Sequence, residues 1–195
     1  MRNLCGILAF LLLSGCGGVG REHKAPAEAV DLNNQAYHAF LNGDHNRALL
    51  LVNDAIKVDP QFAEAYSNKA AILEKQGKRE KAAQALQTLV QLRPVYAEAY
   101  IPLGVLLEKL GRKEEANNCY TRAFSLYSDR AERATGEEKP GIEVNLAIAQ
   151  YLLGDAPAAA ETLKRVLAEN PDFDRANEVK NRIQSGRRDY FLGGM

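Results

Sequence analysis

The 195-residue chain has no tryptophan, three cysteines, seven prolines and no excess of either charge, with 25 basic against 25 acidic side chains. The charge balance leaves no field to draw in a polyanion, so no nucleic-acid partner is expected. Cys5, Cys16 and Cys119 lie too far apart for paired zinc-ligand spacing, and no metal site follows from them. The sequence also lacks an H-E-x-x-H helix, a Walker-type glycine loop and a G-x-S-x-G elbow. No catalytic residue, metal ligand or cofactor is therefore assigned. Only Leu4 through Leu13 forms a long apolar run, and it is too short to cross a bilayer as a permanent helix. What remains is 46% hydrophobic and 26% charged, the balance of a folded globular domain.

The start of the chain obeys separate rules. Met1-Arg2-Asn3 places a positive charge before the apolar run, as in a secretory signal. Leu13-Ser14-Gly15-Cys16 follows at once and resembles the lipobox of bacterial lipoproteins. That resemblance implies removal of residues 1–15, a diacylglycerol on the Cys16 thiol and a fatty acyl group on its freed amine. The competing reading is an ordinary signal peptide with a chance cysteine. Each buried CH₂ contributes roughly 0.8 kcal/mol, so two or three chains anchor firmly where one holds weakly. Residues 16–28 are rich in glycine and charge and are expected to form a flexible tether. Gly17 stands where the family signal for inner-membrane retention is Asp, which implies the periplasmic face of the outer membrane in a Gram-negative host. Cys119 is then the remaining free thiol, and its place beside Tyr120 in a helical stretch reads as packing. His23, His38 and His45 are all far upstream of it.

Residues 29–173 repeat. Ala63-Glu64-Ala65-Tyr66 returns as Ala97-Glu98-Ala99-Tyr100, and Gly43, Gly77 and Gly111 keep the same interval. So do Ala48, Ala82 and Ala116, and Pro60 and Pro94. A fourth copy, with Gly154, Ala159 and Pro171, follows an insertion, giving units 29–62, 63–96, 97–139 and 140–173. Each unit reads as two one-sided helices. Tyr66, Ala70 and Leu73 form the first stripe of the second unit, and Ala82, Leu86, Leu89 and Val90 the second. The glycine closes the first helix in the left-handed region, and the proline stops the second. Asp155 and Pro157 read as a cap followed by a first-turn proline.

Small residues recur on both helices: Ala36, Ala70, Gly104 and Ala147 on the first, Ala48, Ala82, Ala116 and Ala159 on the second. Val52, Leu86, Tyr120 and Leu163 provide bulk beside them. This combination resembles the tetratricopeptide repeat family. The resemblance implies an all-α, right-handed superhelical solenoid of about four helix-turn-helix units, with a C-terminal capping helix within 174–195. Phe173, Ala176, Val179 and Ile183 supply the apolar stripe of that cap. Gln35 and Lys69 depart from the family's leucine, and Ser128 replaces the third unit's closing proline. The third unit's second helix is therefore expected to run through Ala131-Glu132-Arg133-Ala134, end near Thr135-Gly136 and leave a loop through Pro140.

The resemblance also places a protein-binding groove along the first helices. Its residues here are Asn33, Tyr37 and Phe40, then Ser67, Ala71 and Glu74, then Ile101, Val105 and Glu108, then Val144, Ile148 and Tyr151. Asn34, Asn68 and Asn145 recur beside them, with Pro102 in the remaining unit. Those amides either pair with the backbone of a bound peptide or are merely tolerated. Ile101, Val105, Val144 and Ile148 make an apolar strip that is either a partner site or covered by the chain itself. Tyr190-Phe191-Leu192 in the tail is either frayed or docked. The function expected is a membrane-anchored scaffold or adaptor of cell-envelope assembly, similar to lipoproteins of pilus or secretin biogenesis, binding a partner's peptide or helix. The alternative is an adaptor that recruits peptidoglycan enzymes or outer-membrane assembly factors, and an enzyme stands a remote third.

Overall fold

The structure, a computed structural model, describes residues 23–186. Cys16 and the tail from 187 onward lie outside them. Among the described residues nine α-helices follow one another: α1 Ala27–Leu41, α2 His45–Val58, α3 Ala63–Lys75, α4 Arg79–Leu92, α5 Tyr100–Lys109, α6 Lys113–Arg133, α7 Lys139–Leu152, α8 Ala156–Glu169 and α9 Asp174–Gln184. No strand occurs among the described residues. Each odd helix packs on the even one after it, and each pair packs on the next. α1 starts at Ala27, and His23 Nε2 already lies 2.7 Å from Oδ2 of the buried Asp59. The segment expected as a tether is thus tied to the first unit from His23.

The glycines end the first helices by one device. Gly43, Gly77, Gly111 and Gly154 have φ between +73° and +95°. In each case the glycine N–H and the next N–H turn back onto the last helical carbonyls, as in Gly77 to Glu74 (2.8 Å) and Lys78 to Leu73 (2.9 Å). This satisfies carbonyls the helix would otherwise orphan. Asp155 caps α8 through Oδ1, which accepts from the Ala158 amide at 3.0 Å, and Pro157 sits in the first turn. Asp44 does the same for α2.

The prolines carry a second device, which periodicity alone does not reveal. The carbonyl of Pro60 accepts from the Tyr66 hydroxyl, that of Pro94 from Tyr100, and that of Pro171 from the Asn177 amide, at 2.9–3.1 Å. These donors hold one position of the repeat, so each latch pins the turn to the helix that follows. The third unit has no such proline. There Glu143 holds the donor's position and pairs instead with Arg165, 3.2 Å away.

The core sits where paired helices cross. Ala36, Ala147, Val52, Leu163 and Tyr120 are fully buried, and Ala70 and Leu86 nearly so. Gly104 shows why small and large residues alternate. A Cβ there would stand 2.8 Å from Tyr120 Cδ1, and closer still to Cε1. Where Tyr replaces the Val or Leu of the other units, Gly replaces their Ala. The Tyr120 hydroxyl donates to Glu108 at 2.9 Å, so its polar end is satisfied.

The third unit departs as its missing proline foretells, with one correction. α6 runs for 21 residues where α2, α4 and α8 have 14. It ends at Arg133, with Ala134 already extended. No loop persists through Pro140: Gly136–Glu138 form a 3₁₀ turn, and α7 opens at Lys139 with Pro140 in its first turn. Proline lacks the N–H that a first turn leaves unpaired, which suits it to start the helix. Leu126 and Tyr127, where the added turns of α6 begin, are buried against Ile142, Leu146 and Ala149.

Gly104→Leu should overpack the α5–α6 crossing, costing about 1–3 kcal/mol or more. A lower thermal midpoint checks this, and Tyr120→Leu combined with Gly104→Ala should recover most of the loss.

Candidate protein-binding groove

The first helices α1, α3 and α5 meet along one face of the stack, and a cleft of about 300 Å³ opens between them. Phe40, Ala71 and Pro102 give it apolar walls, while Glu74, Tyr96 and Glu98 bring polar atoms. Ser67 and Tyr96 also line an adjoining hollow of about 190 Å³ that reaches Asn68, Glu64 and Arg93, making the surface continuous. Tyr96 is 41% exposed although its counterpart in the first unit, Phe62, is 7% exposed. The same turn position thus serves packing in one unit and surface in another.

The polar rim is only partly neutralised. Arg130 Nη1 donates to Glu98 Oε1 at 2.6 Å. The other carboxylate oxygen, Oε2, is out of contact with solvent and has no hydrogen-bond partner. Burying a charged acceptor unpaired is costly, and Arg130 on the other oxygen offsets part of that cost. Glu74 pairs with Lys109 at 2.7 Å, with both side chains largely covered. Arg93 approaches Glu64 at 3.5 Å. The Tyr96 hydroxyl is held protonated above its ordinary range, by burial first and then by Glu98 and Glu64. The surface as a whole offers an apolar floor with carboxylate oxygens at its edge, suited to a segment that is apolar and carries hydrogen-bond donors.

The residues expected in the groove divide. Phe40 lines the cleft, with Ser67, Ala71, Glu74 and Pro102. Tyr37 is 48% exposed, and Asn34 is exposed beside it. Asn33 is buried, and its Oδ1 accepts from Asn68 Nδ2 at 2.9 Å, so these amides bond to each other and join α1 to α3. Asn145 Oδ1 accepts from Arg175 at 2.5 Å, which ties α7 to the cap α9.

The apolar strip of units three and four is not an open surface. Val105 is packed with Leu103, Leu106 and Leu152, and Val144 with Ala176, Val179 and Ile183. Ile148 is half-buried against both clusters, Ile101 is half-buried against the α5–α6 core, and Tyr151 is buried. Leu152 of α7 belongs to the same core as Val105, and α9 packs on Val144, so α7 and the capping helix remove these side chains from the face. Sequence reasoning did not single out Tyr96 and Glu98 as groove residues. Glu98 was visible only as part of the Ala-Glu-Ala-Tyr repeat, and Tyr96 only as the polar counterpart of Phe62 and Phe173.

No group of three or more His, Cys, Asp or Glu residues is placed to hold a metal ion among the described residues. No helix there is long and apolar enough to cross a membrane.

Stacked helix pairs closed by glycine and proline define a helical-repeat solenoid, a fold that presents extended surfaces to other proteins. The tetratricopeptide repeat model matches residues 33–97, 69–117 and 102–174, and the chain belongs to that family. Among solved structures it is similar to MamA. One crystal structure of MamA is 21% identical, with 85% of this chain and 86% of MamA covered at a TM-score of 0.54. Another is 20% identical, with 80% and 81% covered at 0.52. At that identity the likeness is one of fold. None of the curated proteins matches.

Burial pushes the Cys119 thiol up to about 11, and Glu115 adds to the shift. At pH 8 the folded protein should therefore react slowly with iodoacetamide, and the urea-unfolded chain much faster. Mass spectrometry of both samples checks the difference.

Proposed function

We propose that this protein is a lipid-anchored scaffold of cell-envelope assembly that holds a peptide or helix of a partner protein in the cleft between α1, α3 and α5. Anchoring rests on the lipobox residues Leu13-Ser14-Gly15-Cys16, with the acyl chains at Cys16. Gly17 supports the periplasmic face of the outer membrane as its place. The observation that carries the binding reading is the cleft itself: Phe40, Ala71, Tyr96 and Pro102, from three successive units, line one open hollow. Glu74 and Glu98 on its lining favour hydrogen-bond donors on the bound segment. Repeats whose variable positions face outward bind proteins through such faces, and nothing in the cleft has the geometry of a nucleophile and its base. Pilus or secretin assembly is the process proposed for the partner.

Ala71→Glu and Tyr96→Ser, made separately in the full-length protein, should each weaken capture of the partner from detergent-solubilised envelope by at least about tenfold, about 1.4 kcal/mol. Circular dichroism and the melting midpoint should stay near those of the wild type. Capture unchanged in both variants would move the binding surface elsewhere. Cys16→Ser should independently abolish metabolic lipid labelling and the acyl mass.

A further inference from the structure

The second unit carries a lysine where its later neighbours carry core. Lys69 holds the position at which the third and fourth units bury Leu103 and Leu146. Lys69 is half-buried, and a hollow of about 330 Å³ opens beside it between α2, α3 and α4. Lys78 and Lys81, at the start of α4, line the same hollow, and Asn53 and Gln84 bring amides to it. Three ammonium groups thus share one space, and no carboxylate is among its lining residues.

The other units place an acid at one of the two positions that Lys78 and Lys81 hold. The first has Asp44 and Arg47, the third Arg112 and Glu115, and the fourth Asp155 and Ala158. Arg112 Nε donates to Glu115 Oε1 at 2.6 Å. Asp44 and Asp155 each accept from a first-turn amide of the helix they cap, at 3.0 Å. In the second unit both positions are basic. Lys78 makes no side-chain bond to the start of α4 and donates instead to Gln76 Oε1 at 2.7 Å. Glu80, the acid of that first turn, does not line the hollow. Neither Lys69 nor Lys81 has an ion pair among the described residues. Burial first, and then Lys81, hold the Lys69 amine below the ordinary lysine range. Positive charge at the start of a helix also opposes the helix dipole. Lysine for leucine and lysine for acid therefore meet at one place, and a bound anion would relieve all three costs.

We propose that this hollow binds a small ligand through its phosphate groups, with Lys69, Lys78 and Lys81 as the charge partners and the Asn53 and Gln84 amides as further donors. A carboxylate brings a single negative charge, whereas phosphate groups bring the two or more that three lysines can balance. Lysine serves phosphate as a compact point charge, without the fork geometry of arginine. The volume falls at the lower end of small-molecule sites, about 300–1,000 Å³. The hollow shares no lining residue with the cleft between α1, α3 and α5, so neither proposal depends on the other.

The test is calorimetric titration of the full-length protein with inorganic pyrophosphate. It is run at about 0.15 M salt, where attraction between exposed charges is largely screened. Binding should saturate, and pyrophosphate should raise the thermal midpoint. Lys69→Leu restores the residue of the third and fourth units, and Lys81→Glu restores the acid of the third, so both variants should stay folded by circular dichroism. Each should weaken pyrophosphate binding by at least about tenfold. Equal binding of citrate would assign the hollow to carboxylates and overturn the phosphate assignment. No binding of pyrophosphate, or binding unchanged in both variants, overturns the site itself.

Discussion

The closeness with which two helix backbones cross inside each pair governs everything else in this protein. Helices of 10–21 residues with one apolar stripe are marginal in water by themselves and gain their stability from packing. Close approach requires a small residue on one helix at the point where the other is bulky. Ala36 with Val52, Ala70 with Leu86, Ala147 with Leu163 and Gly104 with Tyr120 are four solutions to that one problem. The last is the most constrained, since the aromatic ring occupies the space of the missing Cβ. Burying these crossings leaves a face on each pair that only the next pair covers, so the repeats stand or fall as a stack.

The groove grows out of a break in the repetition. Ser128 removes the proline that would stop the second helix of the third unit, and α6 continues past it. Arg130 lies on that continuation and holds one oxygen of Glu98, a residue that lines the cleft. Tyr127, one residue before the missing proline, is buried with Ala97, Ile142 and Leu146. The replacement of that proline thus lets α6 reach Arg130 and its pair with Glu98 at the cleft. The insertion that follows is absorbed into a 3₁₀ turn and the first turn of α7, so the stack resumes with the spacing needed for α8 and α9.

The helix pairs were legible in the sequence because their determinants are local. A glycine that must take positive φ, a proline that cannot continue a helix and a three-four apolar spacing each act within a few residues. The Ala, Gly and bulky positions were legible too, since repetition shows which sites face each other before any distance is known. Surface was harder to read than core. Val105 and Val144 occupy stripe positions that Ser67 and Glu74 suggest are open, yet their exposure depends on where α7 and α9 come to lie, each two helices further along the chain. Asn33 and Asn68 looked like ligands for a peptide because an amide suits either partner. That they satisfy one another depends on the distance between α1 and α3. Tyr96 carried a faint signal as a polar aromatic where Phe62 and Phe173 are apolar.

Site-specific photocrosslinking in the native envelope tests most directly that the open face of α1, α3 and α5 is where a partner is held. A benzophenone amino acid placed at Tyr96 should yield a discrete adduct with one envelope protein, and the same probe at the exposed Leu50 of α2 should yield none. Adducts from Leu50 with none from Tyr96 would contradict the account and assign recognition to the outer, second-helix face.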